Sequence, residues 1–119
     1  MKAFLWIFLG GGLGSMLRYA FTLWFINLPL KTFPWPTFLA NLLSCFILGL
    51  ALKKLVYLPP NESIGYWLLI TGFCGGFSTF STFSWEVLTL LKTGFPMMAA
   101  VYVMMSLVVG LLFVWIGYR

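Results

Sequence analysis

Apolar residues along this chain neither alternate nor keep to one helical face; they fill whole segments. Runs almost free of charge cover about residues 3–28, 35–57, 65–92 and 97–118. A membrane-spanning helix needs about 20 apolar residues, so each run has the length of one span. Pro29, Pro34 and Pro36 around Lys31 close the first run. Pro59-Pro60-Asn61-Glu62 closes the second, and Gly94 with Pro96 closes the third, because these residues end helices and make turns. The pattern predicts an all-α integral membrane protein of four transmembrane helices, one domain over residues 1–119.

The third run differs from the others. It contains Gly72-Phe73-Cys74-Gly75-Gly76-Phe77-Ser78-Thr79-Phe80-Ser81-Thr82-Phe83-Ser84. Glycine lets a backbone leave helical dihedrals or approach another backbone closely, so the third helix is expected to break in this Gly-rich segment. In lipid a break is tolerated only where protein or water satisfies the freed N–H and C=O groups. Beyond it, Phe77, Phe80 and Phe83 recur at i, i+3, i+6 and form a slowly drifting stripe. Ser78, Thr79, Ser81, Thr82 and Ser84 lay hydroxyls beside that stripe. The reading is a lining for something small; the bland reading is helix packing, with hydroxyls bonded back to their own helix.

Composition sharpens the membrane reading. Of 119 residues, 62% are hydrophobic and 8% charged, and mean hydropathy is +1.04, whereas soluble domains are about a quarter charged. The net charge of +5 comes without a basic run or an exposed aromatic platform, so nucleic acid is not an expected partner. Lys and Arg instead flank spans, with the lipid bilayer as surroundings. Lys2 precedes an apolar run, but no small-residue cleavage site follows it, so the first segment is expected to be a retained span. Four spans place both termini on one side, with Lys2, Lys53, Lys54 and Arg119; Lys31 and Lys92 lie on the other. So slight a bias permits both orientations, and with them an antiparallel dimer. Cys45 and Cys74 fall within apolar segments and read as small buried hydrophobes.

Catalytic sets are missing from the sequence. There is no histidine, and Glu62 and Glu86 are its only acids, so an acid/base pair cannot be assembled. Not an enzyme, the chain reads as a pore, a carrier or a structural subunit. A cation pathway would want carboxylate rings or converging carbonyls; a proton-coupled carrier would want an intramembrane acid or histidine. The polar residues here are donors: Asn41, Ser78, Thr79, Ser81, Thr82, Tyr102 and Ser106. Rings of Phe80 and Phe83 add partly positive edges. Donors plus ring edges suit an anion, whose water they would replace. Asn41 either clamps two helices or donates to the passing anion. Tyr102, Ser106 and Gly110, at i, i+4, i+8, share one face of the last span. Arg18 must snorkel, pair or face water; Glu86 is interfacial or paired, with Arg18 the natural candidate partner. Gly10 and Gly14 have the spacing for close helix contact.

The run Gly72 to Ser84 with Glu86 resembles the signature of the Fluc/CrcB fluoride channels. Gly10-Gly11-Gly12-Leu13-Gly14-Ser15-Met16-Leu17-Arg18-Tyr19 resembles that family's first-helix motif, and Leu39-Ala40-Asn41-Leu42-Leu43 its second. The resemblance covers the whole chain. It implies an antiparallel homodimer of dual-topology subunits with fluoride pores at the interface, exporting fluoride passively across a microbial plasma membrane. It implies that Phe80 and Phe83 are pore phenylalanines, Asn41 the pore amide, and Ser81 or Thr82 the donors beside the rings. Tyr102 and Ser106 would belong to a fourth-helix polar track, with Gly110 where a further hydroxyl is expected. Arg18 would lie near a vestibule. A central sodium ion would be held by backbone carbonyls of Gly75 and Ser78.

Two other classes compete. Small dual-topology drug/proton antiporters share the size and span number, but depend on a Glu in the first span, where this chain has Arg18. A non-transporting membrane subunit would use the glycines and aromatics for assembly alone.

Overall fold

With few polar side chains to help, the backbone of these apolar segments meets its own hydrogen-bonding needs, and helices do so within a single segment. In the computed structural model, which describes residues 1–28, 32–55, 57–59 and 62–119, every regular element is helical. Helix α1 covers Lys2–Ile26 and α2 Trp35–Leu55; a π-helix covers Tyr66–Cys74 and runs straight into the short α3, Gly75–Phe77; α4 covers Phe80–Lys92 and α5 Pro96–Tyr118. Helices α1, α2 and α5 are each long and apolar enough to cross a membrane. The long axis of 48 Å matches a bilayer with its headgroups, about 40–45 Å.

Helix α2 ends at Leu55 rather than Tyr57, and α1 at Ile26 rather than Leu28. Expected connections at Pro29 and Lys31, and at Pro60 and Asn61, lie outside the described residues. Gly94 makes the turn before α5 with a φ of 85°, a value that glycine adopts without a Cβ penalty.

The interruption in the third segment is displaced from the glycines. Helical backbone persists through Gly72, Gly75 and Gly76 and stops only after Phe77. Ser78 (ψ 158°) and Thr79 (φ −151°, ψ 122°) are extended, and the helix resumes at Phe80. The glycines serve proximity instead. A Cβ on Gly10 would run into the Leu68 carbonyl, one on Gly14 into that of Phe73, and one on Gly76 into that of Gly11. So α1 lies backbone to backbone along the π-helix and α3, as small residues permit in membranes.

A second seam joins α2 to α5. Cβ atoms on Gly49 and Gly117 would meet the Val114 and Phe46 carbonyls, so the two helices touch closely at one end. They run in the same direction, with Cys45 of α2 beside Gly110 of α5 and Gly49 beside Val114 and Gly117. At the other end Phe38, Leu42, Leu90, Ala99 and Tyr102 form the buried core, flanked by Phe33, Phe83 and Val87.

Crowding at Gly14 contrasts with Gly12, whose Cβ would meet nothing within 4 Å. Gly14→Ala is expected to destabilise the folded chain by about 1–3 kcal/mol through overpacking. Gly12→Ala is expected to be neutral or stabilising by about 0.5–1 kcal/mol, since it only removes backbone freedom. Denaturation midpoints of the detergent-solubilised variants measure both.

Candidate functional site: a polar cleft at the helix interruption

Extended residues Ser78 and Thr79 leave backbone groups that no helix satisfies. Serine and threonine favour such a place because their hydroxyls replace helical bonds. The Thr79 hydroxyl caps α4 by accepting the Thr82 N–H at 3.3 Å. It also lies 3.2 Å from both the Ser81 and Thr82 hydroxyls. The Thr79 backbone is held from α2: its N–H donates to Asn41 Oδ1 at 2.8 Å, and its carbonyl accepts from Asn41 Nδ2 at 3.3 Å. Asn41 is therefore a clamp between helices. An amide nitrogen carries two N–H donors, and the contact to Thr79 uses one.

On the other side of the interruption, the Cys74 carbonyl accepts three bonds. They come from the Ser78 N–H at 3.0 Å, the Ser78 hydroxyl at 2.7 Å and the Ser44 hydroxyl at 3.0 Å. The Gly76 carbonyl accepts from Arg18 Nε at 3.1 Å and Ser15 Oγ at 3.4 Å. A guanidinium at a helix C-terminus also meets the negative end of the helix dipole. Arg18 is thus engaged with the end of α3, and Glu86 has other partners. The Glu86 carboxyl accepts from Thr37 Oγ1 at 2.7 Å and from the Tyr102 hydroxyl at 2.8 Å. The expected Arg18–Glu86 pairing is not among these contacts; the two groups are bound to different elements.

Beside the clamp lies a cleft of about 260 Å³, lined by Asn41, Cys45, Ser78, Thr79, Phe80, Phe83, Ser106 and Leu107. Phe80 and Phe83 stand with ring centroids 5.9 Å apart, inclined by 35°. Phe83 packs at 4.9 Å on the buried Tyr102, whereas Phe80 is 79% exposed. The Ser106 hydroxyl oxygen is buried and has no hydrogen-bond partner among the described residues. Unpaired polar atoms are costly in apolar surroundings, and this one belongs to a residue that lines the cleft.

The structure gathers Asn41, Phe80, Phe83, Ser106 and Ser78 at this cleft. Ser81 and Thr82 belong instead to the cap network of α4, and Tyr102 lies behind Phe83, bonded to Glu86. Thr37, Ser44 and Cys45 are the contributors that sequence reasoning missed. Thr37 and Cys45 stand four residues either side of Asn41, on one face of α2, and that spacing was the available signal.

Residues 5–118 match the family model described as "CrcB-like protein, Camphor Resistance (CrcB)". The chain belongs to the CrcB family. It is 44% identical to a protein of Phocaeicola vulgatus named fluoride-specific ion channel FluC, over 98% of this chain and 96% of that one. A protein of the same name from Flavobacterium psychrophilum is 41% identical over 98% of this chain and 94% of its own length. One from Leptospira interrogans is 40% identical over 98% and 91%. The CrcB chain described here is a membrane protein, built around several apolar helices, and these relatives are named for ion conduction, not catalysis.

The clamp makes a direct prediction. Asn41→Ala removes both partners of the Thr79 peptide groups, and each group left unpaired costs about 1–3 kcal/mol. The variant is expected to lose thermal stability in detergent and to exchange the Thr79 amide hydrogen faster. A Thr79 amide as protected as in the parent would show that the clamp does not operate.

Proposed function

We propose that this chain is a fluoride channel that works as an antiparallel homodimer and exports fluoride passively across a microbial plasma membrane, lowering its cytoplasmic concentration. The observation that carries this reading is the cleft, which Asn41 and the unpartnered Ser106 line together with the rings of Phe80 and Phe83 beside an interrupted helix. Relatives named fluoride-specific ion channels, similar over nearly their whole length, support the choice of anion. Residues 65–92 form the fourth span, with the π-helix, α3 and α4 in line.

Fluoride is small and strongly hydrated, so a dry pore must replace its water with donors. Asn41 and Ser106 do so at the cleft, and the Phe ring edges offer partial positive charge without binding tightly. Binding that is too strong would stop conduction. The exposure of Phe80 supports a second subunit: an aromatic ring forming one wall of a polar cleft is closed off when another copy packs against it. Dual topology fits the small charge bias between the two ends.

A sodium ion at the dimer centre belongs to the same reading. Among the described residues, no side-chain donor reaches the carbonyl oxygens of Gly75 or Ser78, while neighbouring Cys74, Gly76 and Thr79 carbonyls accept side-chain donors. Free carbonyl oxygens at a helix interruption suit a hard cation. Sodium bound there would add fixed positive charge near an anion route.

The test is efflux from liposomes reconstituted with the full chain. Potassium fluoride or potassium chloride is loaded inside, with valinomycin as counter-ion carrier. Fluoride release without chloride release is expected. Phe80→Met and Phe83→Ile are expected to reduce fluoride flux at least about tenfold, roughly the loss of one favourable interaction per pore, with the dimer intact by cross-linking. Chloride release, or silence from folded dimers, would overturn the proposal. Replacing sodium with a large organic cation is expected to weaken the dimer or its flux; indifference to sodium would remove the central ion.

A further inference from the structure

The parallel register of α2 and α5 sets their polar residues opposite one another in rungs. On α2, Thr37, Asn41 and Cys45 follow at i, i+4, i+8; on α5, Tyr102, Ser106 and Gly110 do the same. The first rung is Thr37 with Tyr102, both donating to Glu86. The second is Asn41 with Ser106, both lining the cleft. The third is Cys45 opposite Gly110, where a Cβ on the glycine would stand 3.7 Å from the Cys45 sulfur. At 1.5 Å per residue the rungs are about 6 Å apart.

Gly110 offers no side chain, so α5 carries no donor on the third rung. Cys45 does, and it lines the same cleft as the unpartnered Ser106 hydroxyl. A buried cysteine is ordinarily a small hydrophobe, but its S–H is a weak donor. We propose that the Cys45 thiol is the third rung of the ion route, facing the fluoride in the position that Gly110 leaves empty. This inference rests on the fluoride-channel reading above. Cys74, which is 4% exposed, packs away from the cleft and has no such part.

The experiment compares fluoride efflux from liposomes holding the parent chain, Cys45→Ala, and Cys45→Ala with Gly110→Ser. The serine fits, because its Cβ meets only the residue-45 side chain at ordinary contact distance. Cys45→Ala is expected to lower flux about tenfold, the size of one lost hydrogen bond, at an unchanged melting temperature. Gly110→Ser is expected to restore most of that loss by returning a donor from the opposite helix. Methyl methanethiosulfonate is expected to label Cys45 and block the parent, with fluoride slowing the labelling and Cys45→Ala insensitive to the reagent. Cys45→Ala flux equal to the parent's, or a loss that Gly110→Ser does not restore, would overturn the third rung while leaving the channel reading intact. A parent chain that releases no fluoride would overturn the channel reading itself.

Discussion

The centre of this protein is organised around two residues, Ser78 and Thr79, whose backbone is extended between helices. In an apolar environment an unpaired peptide group costs far more than in water, and the chain answers with side chains from neighbouring helices. Asn41 holds both peptide groups of Thr79, Ser44 and Ser78 meet the Cys74 carbonyl, and Arg18 and Ser15 meet that of Gly76. The bonds fix where α4 begins and hence where Phe80 and Phe83 stand. Asn41, Ser78 and Thr79, which bond at the interruption, also line the cleft beside it.

Two glycine seams make that arrangement possible. Gly10 and Gly14 bring α1 onto the π-helix and α3, close enough for Ser15 and Arg18 to reach the Gly76 carbonyl. Gly49 and Gly117 lock α2 to α5 in parallel register, which sets Asn41 level with Ser106. Close contact is the main attraction between helices in lipid, where hydrophobic burial gives none. Precise placement of a few donors follows from backbone contact rather than from a large packed core.

The cleft combines hydrogen-bonding groups on Asn41, Ser78, Thr79 and Ser106 with the rings of Phe80 and Phe83. In the channel proposed above, hydroxyl and amide groups would offset the loss of water from a small anion, while the aromatic rings and the thiol would bind it only weakly. Glu86 at the next rung up is held by two hydroxyl donors, Thr37 and Tyr102.

The sequence by itself determined the membrane class and the all-helical fold. Those follow from local properties: run length, turn residues and side-chain chemistry. Family membership was also legible, in the Gly72 to Ser84 run and the two shorter motifs. Tertiary structure decided where the helix is interrupted, since glycine permits both a break and a close contact, and only the approach of α1 shows which one Gly72 and Gly76 serve. It decided that Asn41 clamps Thr79, that Arg18 and Glu86 have separate partners, and that the Ser81 and Thr82 hydroxyls lie against that of Thr79, which caps α4. It also brought Thr37 and Cys45 into the polar stripe. Each of these depends on the register between helices distant in sequence, which backbone contact at glycines sets and no local pattern encodes.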